Sequence, residues 1–457
     1  MFVNRETEIS RLQRILNQNT AQLVVIYGRR RGGKSTLLRQ IVDNNTVYFS
    51  ADLSEAPVQI RSLAERIEDV VPGFSAPVYP GWDSLFRSLN RSLKEKVTLC
   101  IDEFPYLVKN SPELPSLIQN IHDDGAHSNY NIILCGSSQK MMHDIVLNKN
   151  APLYGRAGEI MKVHPMSVYH LMKFLDVIPE EAIREYSIWG GIPRYWEVRK
   201  LYSSLEEAIE HNVINPYGLL AEEPERLFSD EIRTSVQAYT MLSLIGSGCN
   251  RLSEIAGRME KPATHLSGVT SFLIELKYIR REIPFGESLR STKKTLYKID
   301  DPFLNFWFTF VAPDKSRIDL GLTSQVIRGI IGKMPMYVSS TWEELCRQAV
   351  PFLFSGDKIL PAMRWWGRGK DGVPIEVDIV AESPDKKTLV IGEAKWSEKT
   401  KTITEYEILQ KKIFNLPFVK DQKIITVLFL KNRDSVQPEN AVVFDPEAVV
   451  NAFRPFS

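Results

Sequence analysis

The spacing of apolar residues changes along this chain, and the changes divide it. QLVVIY (22–27), TVYFS (46–50), VTLCID (97–102) and NIILCGS (131–137) are short apolar runs bounded by turn residues, and GEIMKVHP (158–165) fits a fifth. Runs of this kind read as strands buried on both faces, and stretches with helical spacing separate them. Strands alternating with helices predict an α/β fold over residues 1–165, a parallel sheet covered on both sides. Residues 166–230 read as mostly helical, with a break at GGIP (190–193). Residues 231–300 read as three short helices and a β-hairpin, and 301–336 as a connector opened by DPFLNFW. Over 337–457 the order is a helix (WEELCRQAVPFLF, 342–354), three strands, a helix (EYEILQKKIFNL, 405–416) and a strand (KIITVLFLK, 423–431). RWWGRG (364–369) ends the first of the three strands, and PIEVDIVAES (374–383) and TLVIGEAKW (388–396) form a strand pair around SPDKK. No internal repeat or low-complexity tract interrupts this order.

Composition narrows the partners. A chain of 457 residues needs more than one core. Its net charge of +1 gives no overall attraction to nucleic acid or to a membrane surface, so such a partner needs a local patch. The start, MFVNRETEISRL, is too polar for a signal peptide. The richest apolar run, FLNFWFTFVA (303–312), is about half of a membrane span. No membrane partner is expected, and the cytoplasm is the expected compartment. Cys100, Cys135, Cys249 and Cys346 are scattered without metal spacing, as free thiols in a reducing compartment are. His122 and His127 fit a surface helix better than a metal pair.

The strongest chemistry lies at GRRRGGKS (28–35), which fits G-x-x-x-x-G-K-[ST] between a strand and a helix. Gly28, Gly32 and Gly33 let the backbone N–H groups curl around phosphate oxygens, and the helix that follows adds its positive dipole end. Lys34 is expected on the β- and γ-phosphates of ATP, Ser35 on Mg²⁺, and Thr36 beside the site. Of Arg29, Arg30 and Arg31, Arg29 is assigned to the nucleotide, and at least two are expected to face solvent or an adjacent domain. VTLCIDEF (97–104) is an apolar strand ending in two acids. Asp102 is expected to hold Mg²⁺ through water and Glu103 to polarise the attacking water. At the end of NIILCGSSQ (131–139), Ser137 or Ser138 either senses the γ-phosphate or caps the next helix, and Ser138 is carried as a nucleotide contact.

FVNRETEISRL, GRRRGGKST, LCIDEF, CGSS, PLYGR and GGIPRYW follow one another in this order. Together they resemble the archaeal-type ATPases, an AAA-like and STAND-like branch of the P-loop ATPases that also occurs in bacteria. The resemblance implies an ASCE/AAA-like parallel sheet (1–165) with a helical lid (166–230). It places Asn4 and Arg5 near the adenine end of the nucleotide, and brings Pro193 from the lid onto it. It brings Arg156 toward the γ-phosphate from this subunit or a neighbour, which admits a homo-oligomer. GGIP alone also fits a helix-breaking turn, and Arg156 also fits a salt bridge to an acid such as Glu159.

RLSEIAGRM (251–259), KPATHLSGVTSFLIELKYI (261–279) and REIPFGESLRSTKKTLYKI (281–299) follow the winged-helix pattern. Two roles stay open for it. Lys261, Pro262, Thr264, His265 and Ser267 on the second helix, with Arg290, Lys293 and Lys294 on the wing, contact DNA, or the module only packs against the nucleotide domain.

The tail (337–457) resembles the restriction-endonuclease-like fold with its PD-(D/E)xK signature, and also the C-terminal domain of unknown function found in many archaeal-type ATPases. Alternation puts Glu393 and Lys395 on one face of their strand. A hairpin turning near Asp385 sets Asp378 almost opposite Glu393. The two carboxylates are then expected to hold Mg²⁺, Lys395 to position or deprotonate water, and Glu343 to complete the site in preference to Glu344. Val377–Asp378 stands where the signature has Pro-Asp, and Glu376 adds a third acid. The alternative is a strand surface with ordinary charge pairing, Glu393 to Lys395. Three functions remain open: an ATPase governing a nuclease-like effector on DNA, a nucleotide-controlled regulatory protein that cuts nothing, and an ATPase whose tail serves oligomerisation.

Overall fold

The computed structural model describes residues 4–125, 129–231, 235–288, 292, 294–434 and 436–455. His127, Arg290 and Lys293 lie outside the described residues. The chain divides into two compact units, one of residues 1–165 with 192–194, the other of 166–191 with 195–457.

The first unit holds β1 (Leu23–Gly28), β2 (Thr46–Ser50), β3 (Val97–Asp102), β4 (Tyr130–Gly136) and β5 (Glu159–Val163). They form one parallel sheet in the order β2-β3-β4-β1-β5. Period-two alternation sends Leu23 and Val25 of β1 into one core, with Leu85, Leu99, Phe104 and Ile118, and Val24 and Ile26 into the other, with Leu12, Leu37, Leu38 and Cys135. Burial on both faces is why each strand reads as a continuous apolar run. The helices Glu6–Leu16 and Lys34–Arg39 supply the second core; Ala56–Ile67, Trp82–Ser92, Phe104–Asn110 and Leu114–Asp123 supply the first. All five strands point the same way, so the carboxyl ends of β1, β3 and β4 share an edge. Strand order reverses at β1, where open α/β sheets bind ligands.

In the second unit, helices fill residues 168–231 and 235–275 apart from short turns and the undescribed 232–234. The first part of the segment read as a connector, its aromatic run, is core. Asp301 caps the helix Pro302–Phe306, its side chain accepting the Leu304 N–H at 2.9 Å. Phe303, Leu304, Phe306, Trp307 and Phe308 are completely buried. The next helix, Thr323–Leu353, runs 31 residues through Pro335 and Pro351, so the helix expected at 342–354 is its second half. β6 (Ile279–Glu282) and β7 (Leu296–Ile299) form an antiparallel hairpin. β8 (Met363–Arg368), β9 (Pro374–Glu382), β10 (Thr388–Lys395), β11 (Lys423–Leu430) and β12 (Ala441–Phe444) form a mixed sheet in the order β12-β11-β10-β9-β8. The long helix packs on β9 and β10, and the helix Thr402–Asn415 on β10 and β11. Strand β12 and the closing helix Pro446–Asn451 are additional to the sequence reading.

Candidate functional site

The loop after β1 is bent as its glycines require. A Cβ on Gly28 would lie 2.5 Å from the Val163 carbonyl oxygen, so only glycine fits there. Gly33 has φ +89°, a left-handed conformation costly for a side chain. A Cβ on Gly32 would meet the Arg29 carbonyl oxygen at 2.9 Å. Lys34 is buried, and its Nζ donates to the carbonyls of Gly28 and Arg29, both at 3.0 Å. Ser35 is half-buried and Thr36 exposed at the start of the helix. None of the three arginines is solvent-exposed: Arg29 is buried, and Arg30 and Arg31 are half-buried. Pro193 stands beside the loop, its Cγ 3.9 Å from where a Gly33 Cβ would be.

Asp102 ends β3, 2% exposed. Its Oδ1 accepts the Glu103 N–H at 3.0 Å and its Oδ2 the Tyr48 hydroxyl at 2.7 Å. Tyr48 was not singled out from sequence. It lies on β2 with its ring in the core under the phosphate-loop helix, and burial together with Asp102 raises its pKa. Glu103 adopts φ +55°, which turns its carboxylate toward β4, where the Ser137 hydroxyl donates to it at 2.7 Å and the Ser137 N–H at 3.2 Å. The Ser138 Oγ accepts the Met141 N–H at 3.4 Å, a helix-cap contact.

Arg5 is buried, with φ +113°. It donates to the His164 carbonyl at 2.7 Å and to the Gly32 carbonyl at 3.4 Å, and pairs with Glu8 at 2.9 Å. Its Nε is buried without a hydrogen-bond partner among the described residues. Asn4, with φ +58°, precedes it. Arg156 is bound to Asp123, Nη2 to Oδ2 at 2.8 Å, while Glu159 pairs with Arg11 at 2.7 Å.

In the tail, β9 and β10 pair antiparallel with Gly392 opposite Ile379, so the next position outward sets Asp378 against Glu393. Both are buried. Lys395 Nζ lies 2.7 Å from Glu393 Oε2 and 3.4 Å from Asp378 Oδ2, and Asp378 Oδ2 also accepts the Ala394 N–H at 3.1 Å. Lys412, from the helix Thr402–Asn415, lies 2.7 Å from Glu393 Oε1. Burial pushes Asp378 up, but Lys395 and the Ala394 N–H outweigh it and leave its pKa below the ordinary value. In Glu393, burial and the Asp378 charge prevail over the two lysines, and its pKa is raised. Burial disfavours the Lys395 ammonium, but Glu393 and Asp378 more than restore it.

On the long helix, burial and then Asp378 push Glu343 up to about 7. Arg347 Nη1 approaches Glu343 at 4.0 Å and donates to the Asp378 carbonyl at 3.1 Å. Glu344 turns the other way, to Arg347 at 3.0 Å and Arg280 at 3.1 Å. Glu376 pairs with Arg364. Around the hairpin, Lys294 pairs with Glu287 at 2.9 Å, while Lys261, Pro262, Thr264, His265 and Ser267 are exposed.

Residues 2–198 match an ATPase domain predominantly from Archaea, and residues 307–406 match a family described as archaeal and bacterial proteins of unknown function. The uncharacterized protein MJECL04 of Methanocaldococcus jannaschii is 30% identical over 405 residues, 87% of this chain and 88% of that protein. The chain belongs to this archaeal-type ATPase family. An uncharacterized ATP-binding protein of the same organism, MJ0423, is 45% identical over 47 residues, 10% of this chain and 80% of its own. The Walker-type ATPase paby2304 of Pyrococcus abyssi superposes with a TM-score of 0.52 at 22% identity, covering 67% of this chain and 96% of that one. The five-stranded parallel sheet with its helices is a P-loop ATPase α/β fold, and a separate sheet domain follows toward the C-terminus.

The archaeal-type ATPase thus has an ATP-binding engine with two oxygen donor groups, Ser35 and Asp102, that suit Mg²⁺. In the tail the donors are also hard oxygens, but among the described residues no three Asp, Glu, His or Cys side chains converge to hold a metal ion. That donor set suits Mg²⁺ arriving with a phosphate, which needs one or two carboxylates, and makes no standing ion cage. No helix among the described residues is long and apolar enough to cross a membrane. Three residues at these sites, Tyr48, Arg347 and Lys412, escaped the sequence reading. Tyr48 carried a period-two signal, on the same face of β2 as Ser50. Lys412 carried only its place beside the buried Leu409 and Ile413.

Proposed function

We propose that this ATPase hydrolyses ATP with Mg²⁺ at the phosphate loop and uses its nucleotide state to govern a restriction-endonuclease-like tail that cleaves DNA. In the first site Lys34 draws off charge from the β- and γ-phosphates, and Ser35 and Asp102 hold Mg²⁺, which supplies further neutralisation there. Glu103, aimed by Ser137, orients and polarises the attacking water. Arg29, Thr36, Ser138, Asn4 and Arg5 line the nucleotide, and Pro193 reports it to the lid. Arg156 reaches the γ-phosphate of this or a neighbouring copy only after leaving Asp123.

The reading of the tail rests on one observation: antiparallel register opposes Asp378 to Glu393, with Lys395 on the same face at 2.7 Å. Asp378 and Glu393 would hold Mg²⁺, which activates water and steadies charge on a phosphodiester. Lys395 orients the water, and Glu343 completes the site from the long helix. The helix and hairpin of residues 251–299 are taken as a winged helix whose exposed face, from Lys261 to Ser267, approaches DNA. A second reading, a regulatory ATPase whose tail binds without cutting, draws support from Lys395 and Lys412, which occupy both oxygens of Glu393.

Two substitutions test the proposal. Lys34→Ala abolishes ATP binding measured by calorimetry. Lys395→Ala keeps ATP turnover and loses Mg²⁺-dependent nicking of plasmid DNA by roughly a hundredfold or more. If the intact protein with ATP and Mg²⁺ or Mn²⁺ leaves plasmid and single-stranded DNA whole, the non-cutting reading replaces this one.

A further inference from the structure

Glu393 is 2% exposed, and each of its carboxylate oxygens carries a different ammonium group at 2.7 Å, Lys395 on Oε2 and Lys412 on Oε1. Asp378 shares Lys395 and takes the Ala394 N–H on the same oxygen. The third acid, Glu343, is matched by Arg347, whose Nη1 also holds the Asp378 carbonyl. Each of the three acids therefore has a base against it, Arg347 being shared with Glu344 at 3.0 Å. Carboxylates matched in this way offer a dication little unbalanced negative charge, and buried carboxylates are held by whatever cation satisfies them.

We infer that Lys412 is a resident counter-ion that closes the tail site to free divalent cations, and that a phosphodiester strand opens it. The inference rests on the reading of Asp378 and Glu393 as metal ligands. Both lysine side chains keep a path to solvent, Lys395 at 33% exposure and Lys412 at 28%, so both can turn outward without unpacking the sheet. A phosphodiester offers each ammonium an anionic oxygen in exchange for the carboxylate it leaves. The freed carboxylate oxygens then match what Mg²⁺ takes beside a substrate phosphate, one or two carboxylates with waters retained. Metal and strand enter together, and free metal alone does not charge the site.

The test uses the full chain in a Lys34→Ala background, which abolishes ATP binding, with Mn²⁺ titrated in the absence of nucleotide and DNA and read by the electron paramagnetic resonance of the free ion; any ion held at the loop is told apart by its indifference to Asp378→Asn. The Lys34→Ala protein is expected to show no Mn²⁺ site that Asp378→Asn removes. Lys34→Ala with Lys412→Met is expected to gain one, at least about tenfold tighter, because one repelling charge beside the ion is gone. Adding Asp378→Asn abolishes that gain, and Lys412→Arg, which keeps the charge, shows none. An Asp378-dependent site already present in the Lys34→Ala protein overturns the inference, whatever the folding of the methionine variant. So does a folded Lys412→Met protein that gains no site. A gained ion site in a protein that cuts no DNA keeps the inference and removes the nuclease reading. Cutting by the intact protein without any gained site does the reverse.

Discussion

At the scale of single residues, the ATPase site turns on how the carboxylate of Asp102 is held. One oxygen takes the following peptide N–H, and the other takes the Tyr48 hydroxyl at 2.7 Å. A hydrogen bond to a charged group is worth about 1.5–3 kcal/mol, enough to fix one rotamer of the residue proposed to hold Mg²⁺ through water. Tyr48→Phe leaves the packing of the ring and removes only that bond. The Mg²⁺ concentration for half-maximal ATP turnover is expected to rise roughly tenfold, while ATP affinity measured without Mg²⁺ stays the same. A titration showing unchanged metal dependence would remove Tyr48 from this role. The tyrosine was not legible in the sequence because period two assigns it a face, not a partner. Asp378 and Glu393 were legible because their pairing follows from alternation and hairpin register alone. The Arg156–Asp123 pair was not, since the two are 33 residues apart and lie on elements whose packing no local pattern encodes.

At the scale of elements, the hairpin β6–β7 is tied to the tail by charge. Arg280 pairs with Glu282 at 3.0 Å, Asp300 at 3.2 Å and Glu344 at 3.1 Å; Glu282 also meets Lys298 at 3.1 Å and Arg364 at 3.3 Å. The Phe285 N–H donates to the Arg364 carbonyl at 2.8 Å, which gives the exposed side of the edge strand β8 a partner. The hairpin itself was readable from sequence, but its seat was not, for charged residues on a strand read as solvated. The same limit hid the role of the aromatic run at 303–311, which reads as part of a connector (301–336) until its packing partners are known. Strand β12 was missed because four residues carry too little pattern. Burial pushes Glu282 up, but Lys298, Arg280, Arg347 and Arg364 outweigh it and bring its pKa down to about 2 from 4.5. A folded pKa below the unfolded one means stability that is complete above about 4.5 and lost as pH falls toward about 2. The difference corresponds to at most roughly 3 kcal/mol. Glu282→Gln should therefore lower the urea midpoint markedly at pH 7, and the gap from the parent protein should shrink by more than half by about pH 3. An equal gap at both pH values would show that the carboxylate's charge is not what holds the hairpin.

At the scale of the whole molecule, the chain passes between its two units three times, after residues 165, 191 and 194. Only Ile192, Pro193 and Arg194 return to the nucleotide unit, and they return to the phosphate loop, where Pro193 Cγ comes 3.9 Å from the position of a Gly33 Cβ. On both sides of this visit the chain is held in the second unit. Trp189 and Trp196 are fully buried, the Trp196 indole N–H donates to the Gly190 carbonyl at 2.7 Å, and Gly190 sits so close to Pro302 that a Cβ would meet its Cδ at 3.0 Å. If nucleotide state governs the tail through this crossing, occupancy of the loop is felt at these three residues. Hydrogen exchange of the amides of residues 190–196 is therefore expected to differ between the ATP-bound and ADP-bound protein, and Pro193→Gly to erase that difference while ATP still protects the loop at residues 28–35. Should ATP protect the loop and leave exchange at 190–196 identical in both states, nucleotide control through this crossing is excluded.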